Sequence, residues 1–400
     1  MRRYPCIARR YSMRLWTFVI LSGLFLTGCW DYHELDHEAV ISSFAYDLNK
    51  SGKPIVTAYL SLPTKGQEEG GANVANERPD ILSATGNSMY EAIGNMSLYS
   101  PNKLTFHHHV ISILSEDFAR SHFFYDGLDR ITRVGITRRR GLFVMTSGKA
   151  SDVLNVKLPL INDLPQGLSR LTDEAREQQY SLKVDLNDFL YDFNTVGIEP
   201  IMPRLITVNR KRNGDHESTV RLSGSGAFRG ARFVGWLTGN DTRAVLWLRG
   251  RSGHPIIEFP WQDGEVSVKT EDIRSKIVPL RRTDRSKNGL RFRVQIEWKG
   301  SLVMYTGHRI LTAQDIPSIQ KGVVQYMESI IEQSILKAQQ LHTDVFGFGN
   351  ALYCAHPTIY SKRYRKGWNE VFFPKISVSL GIKPKVMSIG MTNNPPEDGQ

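Results

Sequence analysis

The chain holds 400 residues, 40% hydrophobic and 23% charged, with a formal net charge of +11. This length and mix support buried cores and roughly two or three domains, which excludes a disordered or fibrous chain. Five arginines and no acids lie within residues 1–28, so the remaining 372 residues carry +6, and no basic stripe interleaved with aromatics points to nucleic acid.

In chain order, the first feature is Arg14 followed by an apolar run of 12 residues, Leu15 to Leu26. A membrane-spanning helix needs ~20 such residues, so the run has the length of a signal-peptide core. Leu26-Thr27-Gly28-Cys29 then resembles the lipobox of bacterial lipoproteins. That resemblance implies cleavage between Gly28 and Cys29, a diacylglyceryl group on the Cys29 thiol, and a free amino group open to acylation. Two acyl chains, at ~0.8 kcal/mol per buried CH₂, make a stable tether. Met13 offers a second start, from which the signal peptide opens directly. With Cys6 removed and Cys29 acylated, Cys354 has no partner for an intramolecular disulfide, and it is expected as a small buried hydrophobe.

Past the tether, Ala39–Asp47 and Ile55–Leu62 read as strands of a hairpin, joined through Asn49-Lys50-Ser51-Gly52-Lys53. Thr64–Arg78 reads as a polar, glycine-rich loop. Asn87–Leu98 is predicted helical on the spacing of Met89, Ile93 and Met96. A strand is expected over Leu104–Leu114, helix over Glu116–Ile131, a strand over Gly141–Thr146 and a helix near Ala150–Val156. The proline-bearing stretch Leu158–Pro165 shows little periodicity, and helices follow near Thr172–Gln179 and Leu186–Phe193. Arg204–Val208 reads as a strand. The turn-rich segment Asn209–Glu217 is the expected boundary between an N-terminal region (29–208) and a C-terminal one (209–392).

The second region opens with a strand to Phe228, a turn at Arg229-Gly230-Ala231-Arg232 and a return through Phe233–Leu237, then a short helix near Thr242–Leu248. Two extended runs follow, Val266–Leu280 and Leu290–Tyr305. In the latter, Phe292, Val294, Ile296 and Trp298 alternate with Arg291, Arg293, Gln295 and Glu297, the period of a half-buried strand. The longest helix is predicted over Pro317–Leu341, with Ile319, Val323, Met327, Ile330 and Ala338 inward and Pro317 in its first turn. A helix after Asp344 and a strand over Lys375–Met391 close the region, and 393–400 is expected to be disordered.

Chemistry-bearing motifs are few. His33-Glu34-Leu35-Asp36-His37 matches the zinc-protease pattern H-E-x-x-H, but it lies four residues after Cys29 and leaves room for barely a turn or two of helix. In a strand, His107 and His109 would share one face and His108 the other, too few for a metal site. Gly224-Ser225-Gly226 and Gly230 lack the lysine and the strand-to-helix placement of a phosphate loop. Gly347-Phe348-Gly349 follows a candidate helix cap, Asp344. No catalytic constellation, metal site or cofactor is expected, which points to a binding or coupling protein.

Basic clusters recur at Arg138–Arg140, Arg210–Arg212, Arg274–Arg293 and Lys362–Lys366. They suit either an anionic membrane surface or a solvated face. Trp236, Trp247 and Trp368 are candidates for partner contacts or for core positions.

Several strings together resemble one family. Gly28-Cys29-Trp30-Asp31 with Glu34-Leu35 is similar to the mature start of the Ger(x)C family, the lipoprotein C subunits of spore nutrient-germinant receptors. Gly226-Ala227-Phe228-Arg229-Gly230, Val234-Gly235-Trp236-Leu237 and Trp247-Leu248 resemble its C-terminal region. Lys337-Ala338-Gln339, Asp344 to Gly349 and Trp368 resemble its long-helix segment. The resemblance implies an α+β fold of three successive domains, each a mixed sheet flanked by helices. It also implies a lipid anchor on the outer face of the spore inner membrane, with a permease-like subunit and a larger membrane-spanning subunit as partners. It carries no catalytic residue, and only Cys29 inherits a role. The alternative is a substrate-binding lipoprotein that feeds a nutrient transporter, with two similar lobes around a cleft.

Overall fold

The computed structural model describes residues 38–61, 80–134, 140–159, 161, 163–212, 215–251, 253–280 and 289–388. The signal segment, Cys29 and its lipobox, the H-E-x-x-H string, the 64–78 loop and the 393–400 tail lie outside the described residues.

The described strands form two sheets. The larger runs β3 (Asp80–Thr85), β2 (Pro54–Ser61), β1 (Glu38–Leu48), β5 (Ile111–Ser115), β6 (Leu142–Thr146), β7 (Ile201–Arg212), β8 (Asp215–Arg229), β9 (Arg232–Leu237), with β4 (Lys103–Thr105) beside the start of β1. The hairpin β1–β2 turns at Asn49, whose side chain accepts from the backbone N–H groups of Ser51 and Lys53. Its centre is parallel, β1–β5–β6–β7, and its flanks are antiparallel. Residues 209–212 and 215–217 pair at the far end of β7 and β8, and the sheet continues from β8 to β9.

Helices cover this sheet: α1 (Met89–Met96), α2 (Glu116–Arg120), α3 (His122–Val134), α4 (Ala150–Val153), α5 (Leu164–Glu177) and α6 (Leu186–Asn194). Buried Met89 and Met96 fulfil the apolar stripe of α1, and Ser88 caps it by accepting from Glu91 N. α5 begins earlier than its sequence period suggested. Asp163 caps it and Pro165 sits in its first turn, where the missing N–H costs nothing.

The second sheet is β10 (Ile256–Trp261), β11 (Gly264–Pro279), β12 (Arg291–Tyr305) and β13 (Ser377–Val386). β12 alternates as expected, with Phe292, Val294, Ile296 and Trp298 buried and their neighbours exposed. It connects to its parallel neighbour β13 through the long helix α8 (Ile316–Gln340) and α9 (Phe348–Ala355). α8 buries Ile319, Val323, Met327, Ile330 and Ala338, the predicted face, and extends it through Ile331 and Ile335. Each of the Ile, Val and Met side chains contributes ~1.5–3 kcal/mol on full burial. α7 (Gly239–Leu248) packs against both α8 and the strands, and is buried almost throughout. The architecture is therefore α+β, mixed sheets flanked by helices.

Two local expectations are corrected. The Leu104–Leu114 strand is broken: β4 and β5 both pair with β1, but 106–109 leaves the sheet in a turn closed by His109 N donating to Phe106 O, and Val110 rejoins it by donating to Ser42 O. His107 and His108 are exposed on that turn while His109 is buried and shares a hydrogen bond with Ser112 Oγ, 3.1 Å, so the strand-face geometry for the three histidines does not apply. Cys354 is exposed on α9, not a core residue. Its helix buries the opposite face, through Phe348 and Leu352.

Candidate functional site

The densest polar cluster lies where the C-terminal helices meet the large sheet. Asp344, fully buried between α8 and α9, accepts four hydrogen bonds. Oδ1 takes the backbone N–H groups of Gly347 (2.8 Å) and Phe348 (3.1 Å), and Oδ2 takes Gly349 N (2.7 Å) and Trp368 Nε1 (2.9 Å). The local sequence makes this possible. Gly347 has φ +91°, which turns three successive N–H groups toward one carboxylate at the start of α9. Gly349 must lack a side chain, because a Cβ there would stand 2.6 Å from Trp368 Nε1.

The same residues reach across to the large sheet. Asp344 N donates to Asn369 Oδ1 (3.1 Å), and Asn369 Nδ2 donates to Glu199 Oε1 (2.5 Å). Glu199 Oε2 accepts from Gly230 N (2.6 Å) in the β8–β9 turn. Thr343 Oγ1 donates to the Phe228 carbonyl on β8. Asn350 bonds through its backbone N to Gly197 O and through Nδ2 to Val196 O. Arg249, at the end of α7, completes the lock. It pairs with Asp192 of α6 (2.6 Å) and donates to the carbonyls of Glu199 (3.0 Å) and Val345 (2.8 Å).

Burial sets the electrostatics. It pushes the Asp344 carboxyl above its ordinary range, against the pull of its four donors. It raises Glu199 too, helped by the nearby Asp344 charge and opposed by Gly230 and Asn369. Burial lowers the Arg249 guanidinium, and the Asp192 carboxylate offsets part of that. A buried ion pair with its remaining polar atoms bonded holds geometry more than it adds stability. The cluster is a lock between the C-terminal helices and the large sheet, and its Asp344, Glu199 and Arg249 spend their hydrogen bonds on the protein itself.

The sequence motifs converge on it. The N-cap position of α9 falls to Gly347 and not to Asp344, whose carboxylate instead reaches the N–H groups of Gly347, Phe348 and Gly349 from three residues upstream, and Trp368 is core, not surface. Trp247 is also core, donating through Nε1 to Gln179 Oε1 (2.9 Å). Trp236 is half-buried on β9. It donates to Glu116 Oε2 (2.7 Å) at the start of α2 and carries the Arg204 guanidinium over its ring, 4.4 Å away. Arg249, Glu199 and Asp192 carried no sequence signal, since no short spacing links residues of three separate elements. Among the described residues, no group of three or more His, Cys, Asp or Glu side chains could hold a metal ion.

Basic residues are displayed outward. Arg210 and Lys211 are exposed near the end of the β7–β8 hairpin, and Lys362, Arg363, Arg365 and Lys366 are exposed after α9. The outer face of the four-stranded sheet carries Arg274, Lys276, Arg293, Lys299, Lys383 and Lys385 in adjacent registers, with Glu297 between them. Arg281, Arg282, Arg285, Lys287, Arg138 and Arg139 lie outside the described residues. No described helix is long and apolar enough to cross a membrane.

Comparison with known proteins agrees along the chain. Residues 31–207 match the family described as the spore germination protein N-terminal domain. Residues 223–390 match the spore germination B3/GerAC-like C-terminal family, and the gap between the two matches falls inside the β7–β8 hairpin. The chain is 24% identical to spore germination protein KC of Bacillus subtilis over 399 residues, 94% of this chain and 96% of the relative. The crystal structure of the GerBC protein shares the fold with a TM-score of 0.53 at 17% identity, covering 86% of this chain and 96% of that one.

Proposed function

Because the chain belongs to the GerAC-like family of spore germination proteins, we propose that it is the lipid-anchored C subunit of a germinant receptor. The observation that carries this reading is the extent and order of the match. It begins at Asp31, two residues after Cys29, and runs to residue 390, so the conserved-family region starts where the lipidated chain would start. In this reading Cys29 holds the protein to the outer face of the spore inner membrane. There it docks a permease-like subunit and a larger membrane-spanning subunit, and the assembly couples nutrient sensing to germination.

The chain acts by docking and needs no reaction of its own. A lipid tether confines it to a thin layer and raises its effective concentration near partners. The cationic outer face of the four-stranded sheet supports an orientation toward anionic headgroups, at ~1 kcal/mol per basic residue near the surface. The alternative, a substrate-binding lipoprotein, calls for two similar lobes. A nine-stranded and a four-stranded sheet of different order do not supply them.

The test is fractionation of spores carrying Cys29→Ala. The parent protein should stay with membranes through a high-salt wash and co-purify with two integral membrane proteins. The variant should wash off and lose both. A variant that resists the wash and keeps its partners would contradict the tether.

A further inference from the structure

A cavity of about 110 Å³ lies under the helical layer of the large sheet, and none of the lock residues lines it. Its walls are apolar: Phe44 on β1, Phe106 in the turn, Phe143 on β6, and Met89 and Ile93 on α1. The Phe44 and Phe106 rings stack with centroids 6.0 Å apart. The rest of the lining is more polar, with Arg130 of α3 and buried Tyr46, His109 and Ser112.

Arg130 is the unusual member. Its Nε is buried with no hydrogen-bond partner among the described residues. The carboxylates of its own helix are engaged elsewhere, Asp126 beside His122 at 4.0 Å and Asp129 with Arg133 at 2.7 Å. Its guanidinium lies over the Tyr90 ring, 5.1 Å from the centroid, which steadies a cation without neutralising it. Among the described residues no carboxylate pairs with this part-buried guanidinium, so an anion entering the hollow would meet an uncompensated cation. The planar guanidinium fork matches a carboxylate.

Size narrows the class further. An apolar cavity of roughly 150 Å³ holds benzene, so this one suits about four or five carbons. We propose that the cavity binds a small monocarboxylate with a short aliphatic tail, its carboxylate on Arg130 and its tail among Phe44, Phe106 and Phe143. This goes beyond the docking role and does not depend on it, because it is read as binding to the isolated protein.

The test is thermal unfolding of the purified chain with increasing butyrate, with butyramide as the uncharged probe of the same shape. Butyrate should raise the midpoint in a saturable way and butyramide should not. Arg130→Gln should abolish the butyrate response. Ile93→Phe, which fills the cavity from α1 and leaves Arg130 in place, should abolish it as well, and the ligand-free midpoints report whether each variant folds. No saturable shift with butyrate in the parent protein would overturn the proposal, as would an equal shift with butyramide. A response that survives in folded Arg130→Gln or Ile93→Phe would overturn it too.

Discussion

Trp368 Nε1 donates to Asp344 Oδ2 across 2.9 Å, joining the irregular helical segment after α9 to the turn that starts α9. Around this bond the two sheets are held together. Asp344 gathers four N–H donors, and its own backbone N–H reaches Glu199 through Asn369.

Asp344→Ala should therefore cost at least about 3 kcal/mol, since it leaves four buried donors without an acceptor. Asp344→Asn keeps one carbonyl oxygen and should cost less. Urea unfolding midpoints of the two variants measure the difference. A loss under about 1 kcal/mol for Asp344→Ala would show that water fills the gap.

Two glycines should respond in opposite directions. Gly197 has φ +77°, and a Cβ there would stand 2.3 Å from the Gly349 carbonyl carbon, so Gly197→Ala should strain the lock by well over about 1 kcal/mol. Gly94 lies inside α1 with nothing within 4 Å of a Cβ, and Gly94→Ala should stabilise by about 0.5–1 kcal/mol. Thermal melts of both would check the contrast.

Acid should weaken the contact between α2 and β9. Burial raises the Glu116 carboxyl, but Arg120, Trp236 and Arg204 together outweigh it and leave it below its ordinary value of 4.5. In that window the unfolded chain binds the extra proton, so the contribution of Glu116 is full above about pH 4.5 and fades as pH falls through the folded value. The midpoint difference between the parent protein and Glu116→Gln should be present at pH 6 and close at the acid end. A difference that widens on acidification would reverse the assignment.

Cys354 should react with a maleimide in the native protein at a rate close to that after unfolding, because its side chain is exposed. In the mature form proposed above, with Cys6 removed and Cys29 acylated, Cys354→Ser should remove the label. Protection of this thiol in spores, set against free reaction of the purified chain, would place α9 in an interface.

Much of the fold was legible from period alone. The alternation from Phe292 to Trp298 and the stripe from Ile319 to Ala338 belong to elements buried on one side, where hydrophobic spacing carries the information. The turn at 106–109 was not legible, because Leu104, Phe106 and Val110 keep the spacing of a strand while the backbone between them leaves the sheet. β10 went unassigned although Ile257, Phe259 and Trp261 alternate inward, since Pro260 argues against a strand and an edge strand tolerates it. Of the lock, Asp344 showed itself through the glycines that follow it. Glu199, Asp192 and Arg249 could not, because their contact depends on how three elements pack.

The most direct test of the receptor reading is dipicolinic acid release from spores carrying Cys29→Ala, across a panel of nutrients, with a non-nutrient trigger as control and paralogous receptors deleted. Loss of at least one nutrient response with the control intact is the predicted result. Unchanged responses throughout would contradict a tethered receptor subunit.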